Sequence, residues 1–301
     1  MFSIRVVWCC VLLFGMLPSK VLGWNVKGHT LAVLAIDQQL EISQQHQYRQ
    51  LADTLYTLNG SPSVASKRNL PCLVAQSLCY FALWPETVRD KTLRQLYAKS
   101  ALEIPSSLHL IADIPTRFWH YHNVFYDIAT GNQLSGCLWA NEGKLVTVLP
   151  ELVMRFEQAN AVPEKAMLLS FIVHLITDIH QPLHAFSGSN VECQHDRGGN
   201  GVCVTRGGRA KHCALNLHQL WDRGAGAWED FAYRAQAPSD NKVQPFDMRI
   251  EQWVVESVGL AKGIYEFDET ERYRLFVQSQ ASEKLAKAID RTLQYLNQSL
   301  N

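Results

Sequence analysis

Apolar residues recur at three- and four-residue steps over 31–40, 91–102, 145–156, 164–177, 250–265 and 281–296. That period belongs to an α-helix with one inward face, so the spacing predicts six helices. Extended alternation is scarce. The best hairpin candidate is 201–205, in a loop dense in Gly188, Gly198, Gly199, Gly201, Gly207 and Gly208. No internal repeat, low-complexity tract or linker divides 24–301, which reads as one mostly helical domain.

Residues 1–23 follow a different pattern: Arg5, an apolar run over 6–17, then Pro18, Ser19, Lys20 and Val21-Leu22-Gly23. This is the pattern of a cleaved signal peptide, with Val21 and Gly23 before the cut and Trp24 after it. The run falls short of the about 20 residues a membrane-spanning helix needs. The chain is therefore expected in the periplasm or outside the cell, free of the membrane.

Of 301 residues, 47% are apolar and 19% charged, enough to bury a core and too apolar for a disordered chain. Lys plus Arg and Asp plus Glu each number 28, and removing Arg5 and Lys20 leaves 26 basic residues in the exported part. No basic surplus exists to hold duplex DNA by counterion release, so a nucleic-acid partner needs another attraction. Removing Cys9 and Cys10 from the eight cysteines leaves Cys72, Cys79, Cys137, Cys193, Cys203 and Cys213. An even count in an exported chain suggests disulfides, with Cys72–Cys79 and one bridge among the last three plausible. No C-x-x-C pair marks a thiol zinc site. Asn59-Gly60-Ser61 and Asn297-Gln298-Ser299 are glycosylation sequons.

The chemistry concentrates in histidine. In F-I-V-H-L-I-T-D-I-H-Q-P-L-H, His174 and Asp178 stand one turn apart on an otherwise apolar helix, and burying both is costly without compensation. A metal ion compensates, because imidazole nitrogen and carboxylate oxygen at i, i+4 aim at one point. Pro182 then breaks the helix, and the chain turns so that His184 can return toward the same point. A second i, i+4 pair, His218 and Asp222, lies in N-L-H-Q-L-W-D. One such pair is usually an ordinary hydrogen bond, whereas two with further histidine segments point to metal. In F-W-H-Y-H-N, an extended chain turns only one of His120 and His122 to a given side, and His120 is the expected ligand. L-W-P-E offers Glu86 beside a proline-fixed turn, and a chain beginning at Trp24 has a free amine and a carbonyl to chelate an ion near His29.

These segments, with D-R-G-G-N at 196–200, stand in the order found in the S1/P1 nuclease family, which the chain resembles from Trp24 to at least Asp222. That family is α-helical and related in fold to bacterial zinc phospholipase C. The resemblance implies an all-α single domain, 24–301, with three zinc ions in a cleft. It implies one zinc on Glu86, His120, His174 and Asp178, a second on His184, His218 and Asp222, and a third on Trp24, His29 and Asp178. Glu86 stands where the family carries Asp, and its longer arm alters the approach. Asp178, bridging two ions, and Glu86 are the expected catalytic carboxylates. Tyr121 and Asn123 fall where the family holds a nucleobase, with Asn123 replacing an acidic residue. The implied reaction is hydrolysis of phosphodiester bonds in single-stranded DNA and RNA by zinc-activated water, leaving 5′-phosphates, with nucleotides as further substrates for 3′-nucleotidase action. Zinc supplies the positive charge that the composition lacks, with Arg197, Arg206, Arg209 and Lys211 as candidate backbone contacts. The implied form is a monomer. Zinc phospholipases of this fold carry Glu where Asp222 stands, which favours a nuclease over a lipid head-group hydrolase or a non-enzymatic zinc-binding protein.

Overall fold

The computed structural model describes residues 24–62, 75–137, 142–206, 213–228, 246–268 and 270–300. The helices are α1 (Val26–Gln39), α2 (Ile42–Leu58), α3 (Gln76–Thr87), α4 (Leu93–Lys99), α5 (Leu145–Gln158), α6 (Val162–Ile179), α7 (Pro182–Ala185), α8 (Leu217–Asp222), α9 (Ile250–Val258), α10 (Ala261–Tyr265) and α11 (Glu271–Ser299). The strands are β1 (Val124–Asp127), β2 (Gln133–Leu134), β3 (Phe186–Ser189), β4 (Cys203–Arg206) and β5 (Cys213–Asn216). The chain is mainly helical, as expected, and no helix among the described residues is long and apolar enough to cross a membrane.

α6 organises the core because it is apolar all round, and a helix of that kind has to be surrounded. It is buried without interruption from Ala166 to Ile179, against α1, α2, α3, α5, α7 and α11. Each large apolar side chain it buries is worth about 1.5–3 kcal/mol, so the few polar residues among them are conspicuous. Ser170 donates to the Phe81 carbonyl at 2.7 Å, and Thr177 to Val173 within the helix.

Two helices of more than ten residues escaped the sequence pattern, as did the short α7 and α8. The inward stripe of α2 is Tyr48, Leu51, Ala52 and Leu55, set among glutamines. α3 runs through Pro85, where L-W-P-E was expected to turn. Proline has no N–H to return to the carbonyl four residues back. That carbonyl is Phe81, the one Ser170 caps, so Pro85 frees an acceptor with which α6 docks. The predicted helix at 250–265 is interrupted at Gly259 and Leu260, and 281–296 lies within the 29-residue α11.

The strands are few and local. β1 lies between β2, antiparallel, and β3, parallel, with Val124 opposite Phe186. The expected hairpin is β4 paired with β5. A disulfide joins Cys203 to Cys213, a bridge among the last three cysteines, and another joins Cys137 to Cys193. Cys79 is disulfide-bonded, while Cys72 lies outside the described residues, as does the segment 1–23.

Between β3 and β4 the chain reverses through three consecutive left-handed residues, Arg197 (φ 59°), Gly198 (φ 62°) and Gly199 (φ 78°). At Gly198 a Cβ would lie 2.4 Å from the Leu183 carbonyl oxygen, so only glycine fits. Its N–H donates to Ser187 Oγ at 2.9 Å. Gly198→Ala is expected to destabilise the fold by at least the about 1–3 kcal/mol of a left-handed non-glycine residue. Urea denaturation in chelator measures this, and an unchanged midpoint would refute the constraint.

Candidate metal centre

The first group forms where α3, α6 and the segment after the 3₁₀ turn Thr116–Phe118 converge. His174 Nδ1 donates to the Ala82 carbonyl at 2.8 Å, which turns Nε2 inward. Nε2 then lies 3.3 Å from Asp178 Oδ2, 3.5 Å from Glu86 Oε1 and 3.2 Å from His120 Nδ1. His120 Nδ1 is itself 2.9 Å from Asp178 Oδ2 and 3.2 Å from Glu86 Oε1. Glu86 divides its oxygens, because Oε2 accepts from Arg89 at 3.0 Å while Oε1 faces the histidines. A longer side chain than aspartate permits this division. His120 lies in irregular chain and not in the extended strand that the alternation assumed; it is fully buried and His122 half-buried.

The second group joins α7 and α8. His184 Nδ1 donates to the His120 carbonyl at 2.5 Å, and His122 N–H returns to the His184 carbonyl at 2.7 Å. His218 Nδ1 donates to the Gly198 carbonyl at 2.6 Å, the product of the left-handed turn. Its Nε2 lies 3.6 Å from Asp222 Oδ1, and Asn216 caps α8 through Gln219 N.

α1 closes the site. Asn25 Oδ1 caps it by accepting from Gly28 N at 3.0 Å, and Asn25 N–H donates to the Asp222 carbonyl at 2.9 Å. The Trp24 indole, buried edge-on to Trp228, donates to the Thr177 carbonyl at 2.9 Å. Trp24 and Asn25 are thereby tied to the residue before Asp178 and to Asp222 itself. His29 stacks on His174 at 3.8 Å and points Nε2 at Asp178 Oδ1, 3.2 Å away.

The ionisable groups of the site shift one another strongly. Burial disfavours ionising Asp178, but His174, His184 and His120 outweigh it and hold the carboxyl well below the usual range. For His174, burial is likewise outweighed, here by Asp178 and Glu86, and its pKa is pushed up to about 10. His29, stacked on that charge, is driven down to about 4 by burial and then by His174. Asp222 is pushed well above the usual carboxylate range, by burial first and then by Asp178 and Glu86. His29 Nε2, Glu86 Oε1 and Asp178 Oδ1 are buried with no hydrogen-bond partner among the described residues. His29, His174 and Asp178, then Glu86, His120 and His174, and finally His184, His218 and Asp222 each offer ligand atoms within 4.8 Å of one another. Nitrogen and oxygen donors so disposed suit zinc.

Tyr121 is half-buried beside His120, and burial pushes its phenol up to about 12. Asn123 Oδ1 accepts from Gly143 N at 2.8 Å, and Gly143 packs against the Tyr121 backbone. Arg197 is exposed; the Arg206 side chain, Arg209 and Lys211 lie outside the described residues. Sequence reasoning missed Arg89, one turn after Glu86, and Gln181, a polar residue fully buried at the proline break. The spacing of the first and the position before Pro182 of the second were the available signals. His180, in the same motif, faces α11 and accepts from Arg291.

The sequence profile of the S1/P1 nucleases matches residues 24–298. The chain belongs to the S1/P1 nuclease family. S1/P1 nucleases are zinc-dependent, and this chain has donor groups of the required kind. A 54-residue stretch is 48% identical to Nuclease S1 of Aspergillus oryzae (strain ATCC 42149 / RIB 40), covering 18% of this chain and 15% of the relative.

Because the His174 pKa of about 10 lies above neutrality, metal-free protein carries a proton there that zinc displaces. Zinc binding at pH 7.5 is therefore expected to release at least one proton per chain, and affinity to rise from pH 6 toward 10. Calorimetry in buffers of different ionisation enthalpy counts the protons, and binding without release would contradict the assignment.

Proposed function

We propose that this chain is an exported zinc-dependent nuclease that hydrolyses phosphodiester bonds of single-stranded DNA and RNA to 5′-phosphates, with 3′-nucleotidase action on nucleotides. The observation that carries the reading is the buried carboxylate of Asp178, whose oxygens face histidines of both donor groups. Three zinc ions fit: one with Glu86, His120, His174 and Asp178, one with His184, His218 and Asp222, and one with Trp24, His29 and Asp178. Zinc in such a cluster supplies water with a lowered pKa and positive charge against a phosphate. Asp178 and Glu86 are the catalytic carboxylates, each offering the cluster an oxygen without a hydrogen-bond partner among the described residues. Arg89 holds Glu86 in place from the solvent side.

Tyr121 serves as a stacking platform for an unpaired base, which explains a preference for single strands. Because Gly143 occupies Asn123 Oδ1, the amide –NH₂ is left to donate to a base acceptor, where a carboxylate would accept from a base amine. Residues 1–23 direct export to the periplasm or beyond, and removing them exposes the Trp24 amine as a ligand. The enzyme works as a monomer.

Zinc removal and restoration, assayed on single-stranded DNA, RNA and phosphatidylcholine micelles, tests the reading; head-group release without nuclease action overturns it. His174→Ala and His218→Ala are each expected to abolish activity and to lower zinc content by at least one ion per chain. Normal turnover with unchanged zinc refutes that residue's role.

The Trp24 amine has its own test. Protein with one extra residue ahead of Trp24 is expected to bind one zinc fewer and lose most activity, because an amide nitrogen does not coordinate as an amine does. Equal zinc and equal turnover in the extended and unextended forms would remove the terminus from the site.

A further inference from the structure

Gln181 is fully buried at the two-residue break between α6 and α7, where an apolar residue would cost less. Every polar group it carries is engaged. Its backbone N–H donates to the Asp178 carbonyl at 2.9 Å, and its carbonyl accepts from His184 N at 2.9 Å. Its side-chain Oε1 accepts from Leu183 N at 2.6 Å and caps α7, which carries His184. Since Leu183 N is a donor, Oε1 must face it. Nε2 therefore points the other way and donates to Asp222 Oδ1 at 2.7 Å, 41 residues along the chain. One residue thus touches the turn of Asp178, the helix of His184 and the carboxylate of Asp222. Asp222 is buried, and no other side-chain donor to its carboxylate is found among the described residues.

We propose that Gln181 is a positioning residue for the His184–His218–Asp222 group, fixing the Asp222 carboxylate in register with Asp178. The proposal rests on the metal-centre reading above. Outer partners of metal ligands typically change affinity by about 10- to 100-fold when lost.

The test is Gln181→Glu, which keeps the acceptor that caps α7 and replaces only the donor facing Asp222. Gln181→Met removes both and serves where the glutamate variant folds poorly. Zinc-loaded parent and variants are titrated with a chelator, and the metal-free forms are melted. One zinc per chain is expected to leave Gln181→Glu at about 10- to 100-fold lower chelator concentration. The others should leave at parental concentration, and this selective loss supports the proposal whatever drop in metal-free melting the lost buried hydrogen bond brings. In a His218→Ala background, which already lacks that ion, Gln181→Glu should release no further zinc. Parental release of every ion in both variants overturns the proposal. So does simultaneous loss of all zinc with a lowered metal-free melting point, which makes Gln181 a structural residue. A parent that binds no zinc refutes the metal-centre reading itself, a result distinct from a zinc-binding parent matched by its variants.

Discussion

A carboxylate without access to water, Asp178, sits near the end of the most thoroughly buried helix of the protein. Leaving such a charge alone inside a protein costs several kcal/mol even after the surroundings relax. The neighbouring architecture answers that cost. α1 brings His29, α3 brings Glu86, α7 brings His184, and the chain before β1 brings His120, all toward a residue of α6. These contacts join parts of the chain far apart in sequence, so the site and the tertiary fold form together. The protein has no net charge in which to immerse a phosphate backbone. For a member of a nuclease family, attraction to phosphate then has to be supplied locally.

The helices differ in how closely they serve this point. α6 carries it, and Pro85 in α3 leaves free the carbonyl through which α6 is held. The next carbonyl, Ala82, orients His174. A proline and its neighbours, which look like a defect in a helix, thus form part of the docking surface. On the other side, the N-terminal turn of α1 is tied to α8 by Asn25 and to α6 by Trp24. Trp228 completes this corner by donating to Asn25 Oδ1 at 3.1 Å.

Much of this is legible in the sequence where one physical rule acts alone. The i, i+4 His–Asp pairs are readable because helix geometry fixes their relative position whatever the rest of the chain does. His120 and His122 differ in burial for a reason that lies outside the sequence pattern, since the chain there is irregular and not extended. What resisted reading depends on partners distant in sequence. α3 was hidden because Pro85 signals a break unless Ser170 is known to need the freed acceptor. α2 was hidden because its stripe is thin among glutamines and is completed by packing on α6 and α3. The Cys137–Cys193 bridge had no local signal, since fifty-six residues separate its ends. Arg89 and Gln181 carry no chemistry of their own; their role is visible only once Glu86 and Asp222 are located in space.

The ring orientations of His174, His184 and His218 share one property. Each Nδ1 donates to a main-chain carbonyl, of Ala82, His120 and Gly198 respectively. A side-chain acceptor can be lost by a single codon change, whereas every amino acid supplies a carbonyl. The aim of these imidazoles is therefore insulated from most heritable variation at the accepting positions. Sequence drift can disturb it only through changes that move the backbone. Such changes are confined to places like the left-handed turn at Gly198. What holds these three rings is the path of the main chain, and not the identity of the side chains along it.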